Sequence, residues 1–165
     1  MIEHIVEVEF RGTMQTVRLE VRTKPEWVGV QAHLLGAAMW CVGVFWAEAY
    51  RRFLEDFTTV VGDVVYVSVS KTDAPAATLR HEAVHICQRK DEGAWLHGAR
   101  YMLSAKWRLR YEIEAYAEDL RSGRSIENVT QALTKPAGYI LGMDAGEVRP
   151  LVEAEARRVA NEDQG

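Results

Sequence analysis

Ala76-Ala77-Thr78-Leu79-Arg80-His81-Glu82-Ala83-Val84-His85-Ile86-Cys87-Gln88 contains neither Gly nor Pro and is rich in helix formers, so it is predicted to be helical. Residues i and i+4 of a helix lie one above the other on one face, which sets the imidazoles of His81 and His85 side by side, close enough to grip one cation. Glu82 follows the first His directly, so its carboxylate leans over the same place without having to ligate. Two neutral imidazoles suit Zn²⁺, and an adjacent carboxylate can take a proton from water that the metal activates. This is the physical content of the H-E-x-x-H motif. The same pentapeptide also fits an amphipathic helix whose histidines only pack or face solvent, so a third ligand decides between the two.

The composition narrows the setting. A chain of 165 residues has the usual size of one domain with a real core. Hydrophobic residues make up 48% and charged ones 27%, the balance of a globular protein and not of a disordered one. A net charge of -4 and a pI near 5.8 give no reason to expect a nucleic-acid partner. Cys41 and Cys87 make no disulfide framework and fit a reducing compartment. The opening Met1-Ile2-Glu3-His4-Ile5-Val6-Glu7 is acidic and alternating, unlike a secretion signal, and a cytoplasmic protein is expected.

Working outward from the motif, Val64-Val65-Tyr66-Val67-Ser68-Val69-Ser70 reads as a strand entered by the turn Gly62-Asp63. Asp73 as cap and Pro75 in the first turn then start the motif helix. A strand leading into that helix would offer a free edge on which an extended peptide could align. At the N-terminus, Val6, Val8 and Phe10 alternate with Glu7 and Glu9, and Val17, Leu19 and Val21 alternate with Arg18, Glu20 and Arg22. Two such runs joined through Arg11-Gly12-Thr13 predict a β-hairpin over 1–24 with one buried face.

Residues 27–57 form a long apolar stretch read as a helix. Its part 28–47 nearly has the length of a membrane span, but Gln31, His33 and glycines 29, 36 and 43 favour burial against the domain or a partner. Membrane contact through 28–47 is thus the less favoured use. On the C-terminal side, the motif helix should end by Gly93, with a connector or short helix over 94–103. A helix capped by Ser104 runs from Ala105 to Arg121, another follows Ser125, and Asp144 with Glu147 reads as a capping box for the last.

The helix 105–121 supplies carboxylates at Glu112, Glu114, Glu118 and Asp119. Glu114 and Glu118 share a face, whereas Glu112 leaves the helix on a different one. One of them on the metal and another one turn later on a ligand imidazole would be a workable arrangement. The same residues also fit a charged solvent face interleaved with Arg108, Arg110 and Arg121.

His81-Glu82-x-x-His85 followed by Glu114-Ala115-x-x-Glu118 resembles the gluzincin branch of zinc metallopeptidases. It is similar to thermolysin, with its Glu-Ala-x-x-x-Asp, and to small peptidases of phage and mobile-element proteins with an Ile-Glu-Ala-like stretch, here Ile113-Glu114-Ala115. The resemblance covers residues 63–120. It implies His81, His85 and Glu114 as zinc ligands, Glu82 as general base and Glu118 as the outer partner of an imidazole, in a chain of phage origin. Glu118 stands where thermolysin-like enzymes carry Asp and is longer by one methylene. In the rival metzincin pattern the ligand would be Asp91, but Gln88 occupies the position where that pattern has Gly, and residue 91 then stays on the helix. The donor for an oxyanion is open among His97, Tyr101, Tyr111, Tyr116 and Tyr139.

The expectation is therefore an α+β, minimal zincin-like single domain over 1–165. A small, mainly antiparallel sheet packs on the motif helix and a Glu-bearing helix, the metal core lies in 63–122, and further helices occupy 125–160. The expected function is zinc-dependent hydrolysis of a peptide or amide bond, with a peptide or protein as substrate. The contrasting reading is a structural or membrane-associated protein, again of phage type, that keeps the fold and does no chemistry. Oligomeric state is not legible.

Overall fold

Alternating Val and Glu at the N-terminus do produce a hairpin. In the computed structural model, which describes residues 2–24, 58–68, 70–135 and 142–162, strand β1 spans Ile2–Phe10 and β2 spans Thr13–Thr23. Arg11 (φ 51) and Gly12 (φ 76) both adopt the left-handed conformation, as a two-residue hairpin turn of matching twist requires. Val8, Val17, Leu19 and Val21 are buried, while the intervening Glu7 and Arg18 are exposed.

Strands β3 (Thr59–Val61) and β4 (Val64–Val67) form a second hairpin around Gly62, and the sheet order is β1-β2-β4-β3. β4 pairs parallel with β2, with Val21 opposite Val65, and antiparallel with β3, with Val60 opposite Val65. The sheet is therefore mixed. The strand expected over 64–70 stops at Val67, because the backbone turns there: Lys71 N–H donates to Ser68 O at 2.9 Å. β4 also lies inside the sheet, with Val65, Tyr66 and Val67 all buried. It has no free edge to align a peptide, and among the described residues the edges belong to β1 and β3.

Helix α1 (Ala76–Glu92) carries the motif and ends where Gly93 takes a φ of 84. It runs unbroken through Gln88, so Asp91 stays on the helix and pairs with Arg11 at the hairpin turn. The helix begins after Pro75, so Asp73 does not cap it as expected: it accepts from the N–H of Ala74 and bonds His4 ahead of the first turn. The stretch 94–103 is a helix, α2 (Ala94–Leu103). Helix α3 (Ala105–Arg121) starts at Ser104, whose hydroxyl accepts from Trp107 N–H, and stops before Gly123 (φ 87). Helix α4 (Ile126–Thr134) is capped by Ser125. Helix α5 (Ala145–Glu162) opens with the reciprocal box, Asp144 N–H to Glu147 and Glu147 N–H to Asp144, both at 3.0 Å.

The chain divides into two compact units. One comprises Met1–Ile5 and Arg18–Pro75 and holds the β2-β4-β3 pairing. The other comprises Val6–Val17 and Ala76–Gly165, and contains all five described helices. Within it, Leu109, Tyr116, Val129, Leu133, Val148 and Val152 form an apolar cluster that joins α3 to α4 and α5. The other side of α3 packs on α1. The helix expected over 27–57, with its membrane contact through 28–47, and the residue Tyr139 lie outside the described residues. Among the described residues no helix is long and apolar enough to cross a membrane.

Candidate metal centre

The face of α3 turned to α1 is fixed by its buried residues. Glu112, Ala115, Tyr116 and Asp119 are all buried and recur at intervals of three and four, one stripe of a helix. Ala115, the smallest of the four, has no exposed surface. Across the contact stand His81 and His85, ring centroids 5.1 Å apart and nearly perpendicular.

The carboxylate that meets them is Glu112. Its Oε2 lies 3.6 Å from Nε2 of His81 and 3.6 Å from Nε2 of His85. Ligand atoms from these three residues all lie within 4.8 Å of one another. Zinc with bonds of about 2.0–2.1 Å in tetrahedral geometry spaces its ligand atoms by roughly 3.3 Å, so the triad is close to the needed size. Glu112 Oε1 accepts a hydrogen bond from the Tyr101 hydroxyl at 2.7 Å, whereas Oε2 is buried and has no hydrogen-bond partner. An ionised oxygen buried without a close hydrogen bond is costly, and at 3.6 Å the two imidazole nitrogens satisfy it poorly. A cation between the three atoms would satisfy it, and two imidazoles with one carboxylate are a donor set that zinc accepts.

Each imidazole is turned by a bond at its other nitrogen. His81 Nδ1–H donates to Asp119 Oδ2 at 2.9 Å, and Arg124 holds the other oxygen of that carboxylate. His85 Nδ1–H donates to Gln88 Oε1, also at 2.9 Å. Both rings therefore turn Nε2 to the centre as the nitrogen that a metal would claim in exchange for its proton.

The centre is strongly electronegative. Burial works against a charged His81, but Asp119 and Glu112 outweigh it and push the imidazole up to about 10 in the metal-free chain. Burial likewise opposes the imidazolium of His85, and Glu112 raises it regardless. Burial also drives Glu112 upward, yet the two imidazoles hold it well below the usual carboxylate range. Glu82, buried beside them, is raised above its ordinary value by desolvation, with the imidazoles pulling the other way. Without metal this field retains protons; a divalent cation would displace them.

His81, Glu82 and His85 stand where the sequence places them. Glu114, expected as third ligand, is two residues along α3 from Glu112 and does not meet the imidazoles. Its Oε2 accepts from Gln88 Nε2 at 3.0 Å, and it lies 3.5 Å from both Arg11 and Arg110. Glu118, expected to back an imidazole, instead accepts from Glu9 N–H and pairs with Arg121, and Asp119 takes the place beside His81. Glu112, Asp119 and Gln88 are the residues around the candidate centre to which sequence reasoning gave no role there, and Tyr101, named only as a possible oxyanion donor, bonds Glu112 instead. The spacing of Glu112 and Asp119 by seven, bracketing Ala115 and Tyr116, is the signal that marks them as one buried stripe. Among the candidate oxyanion donors, Tyr101 is engaged with Glu112 and Tyr111 with Glu92, while the Tyr116 ring packs 4.6 Å from that of His81. His97 lies against the Tyr111 ring, with Nδ1 buried and unpartnered among the described residues. Compared with protein-family models, curated proteins and solved structures, the chain matches none.

Proposed function

We propose that the chain is a zinc-dependent hydrolase of peptide or amide bonds, with His81, His85 and Glu112 holding the metal and Glu82 acting as general base. The observation that carries this reading is the buried, donorless Oε2 of Glu112, equidistant from two imidazole nitrogens turned toward it by Asp119 and Gln88. A zinc ion in this donor set would supply Lewis acidity toward water and the scissile carbonyl. Glu82 accepts the proton of the attacking water and returns it to the leaving nitrogen. Its upward-shifted carboxyl makes the carboxylate a better acceptor for the first of these transfers. Asp119 favours positive character on His81, and Tyr101 fixes the plane of the Glu112 carboxylate.

The minimal zincin arrangement is part of this proposal, supported by the motif helix and the Glu-bearing helix in contact. The test is zinc content by mass spectrometry alongside cleavage of a mixed peptide library. Full-length protein should take up about one zinc per chain and cleave peptides. Zinc uptake without turnover would leave a structural metal site and remove the enzyme reading.

A further inference from the structure

We propose that Gln88 is a positioning residue that sets the tautomer of His85, and that Glu114 acts on the metal centre only through Gln88. The inference rests on the metal-centre reading for its consequence, but not for its geometry.

Gln88 lies one turn beyond His85 on α1 and is fully buried. Its amide nitrogen donates twice, to the carbonyl oxygen of Tyr111 at 2.9 Å and to Glu114 Oε2 at 3.0 Å. Neither acceptor can donate, so the NH₂ end must face them and Oε1 must face His85. A carbonyl oxygen only accepts. The hydrogen in the 2.9 Å contact between Oε1 and His85 Nδ1 therefore belongs to the imidazole, and Nε2, facing Glu112, is the nitrogen left to exchange its proton for a metal. Every hydrogen-bonding group of this buried amide except one oxygen lone pair is used.

The choice of an amide has a reason. Glu82, Glu112 and Asp119 already place three carboxyl groups in the buried electrostatic field of His81. A fourth carboxylate directly behind His85 would have to be desolvated against them. Gln88 supplies direction without charge. The charge of Glu114 stands one bond further out, faced by Arg11 and Arg110 at 3.5 Å each. Glu114 needs only to accept from Gln88, and that role does not require an anion.

The experiment uses the full chain, metal-free and zinc-loaded, with Gln88→Leu, Glu114→Ala and Glu114→Gln. Long-range proton–nitrogen spectra of the metal-free protein read the His85 Nδ1–H, and competition with a chelator reads zinc affinity. Wild type should show a slowly exchanging Nδ1–H. Gln88→Leu should lose that signal and bind zinc about 10–100-fold more weakly, the scale for an outer hydrogen-bond partner of a ligand. Glu114→Ala should shift both readouts the same way, and Glu114→Gln should restore both, because its amide oxygen still accepts from Gln88. Retention of the Nδ1–H and of full affinity in Gln88→Leu overturns the proposal. So does an affinity loss in Glu114→Gln as large as in Glu114→Ala, which would assign Glu114 a direct, charge-dependent role. If Gln88→Leu does not fold, the Glu114 pair decides alone. Failure of the metal reading looks different: wild type then takes no zinc, yet the Nδ1–H still depends on Gln88.

Discussion

Glu112 and Glu114 differ by two positions and by one property, the direction in which α3 aims them. Glu112 is desolvated against two imidazoles, while Glu114 sits between two arginines and an amide. Glu112→Ala should therefore strip the stoichiometric zinc, and Glu114→Gln should leave it in place; zinc content after desalting distinguishes them. The opposite pattern would return the ligand role to Glu114. Glu82→Gln keeps shape and removes the proton acceptor, so zinc should stay at full occupancy while turnover falls by about 10²–10⁴-fold. The motif residues were legible because their chemistry is local: one turn of α1 brings the two imidazoles together whatever surrounds them. Asp119 was less so, since nothing in Glu118-Asp119 alone tells which of two neighbouring acids faces inward.

At the scale of elements, the contact of α1 with α3 sets the spacing of the candidate ligands, and Ala115, on the same stripe of α3 as Glu112, has no exposed surface. Ala115→Leu would force the helices apart, costing about 1–3 kcal/mol as for other overpacked cores. Metal affinity should fall with stability, since Glu112 rides on the displaced helix. Chemical denaturation and chelator competition check the two halves; stability loss with unchanged zinc affinity would mean that the ligands reorganise independently of helix packing. Helix boundaries were readable from Ser104, Ser125, the Asp144–Glu147 box, Gly93 and Gly123, because caps and left-handed stops act over a few residues. Strand β3 was not, because three residues, Thr59–Val61, carry too little alternation to stand out.

For the whole molecule, the candidate metal centre is expected to couple stability to pH and, on the proposed reading, to zinc. His81 moves from 6.5 to about 10 on folding, so the folded metal-free chain holds a proton that the unfolded chain releases first. That stabilisation is fully present below about 6.5 and is lost as pH rises through about 10, and the raised His85 adds with the same sign. Thermal melts of metal-free protein should fall across this window, and Asp119→Asn should flatten the fall. Zinc must displace those protons, so its affinity should rise over the same range, and at 100 times Kd it should add about 2.7 kcal/mol of stability. A metal-free melting point that does not decline from pH 6.5 to 10 would contradict the electronegative centre. The sequence by itself determined the hairpin, the motif helix, the caps at Ser104, Ser125 and Asp144 and the pairing of His81 with His85, since each depends on contacts within a few residues or on a period of two or four. Only the tertiary structure decided that β4 is an interior strand of a mixed sheet, that Glu112 and Asp119 take the places expected of Glu114 and Glu118, and that Gln88 stands behind His85. Those outcomes depend on which stripe of α3 is buried, and the apolar cluster with α4 and α5 together with the packing of α3 on α1 fixes that rotation.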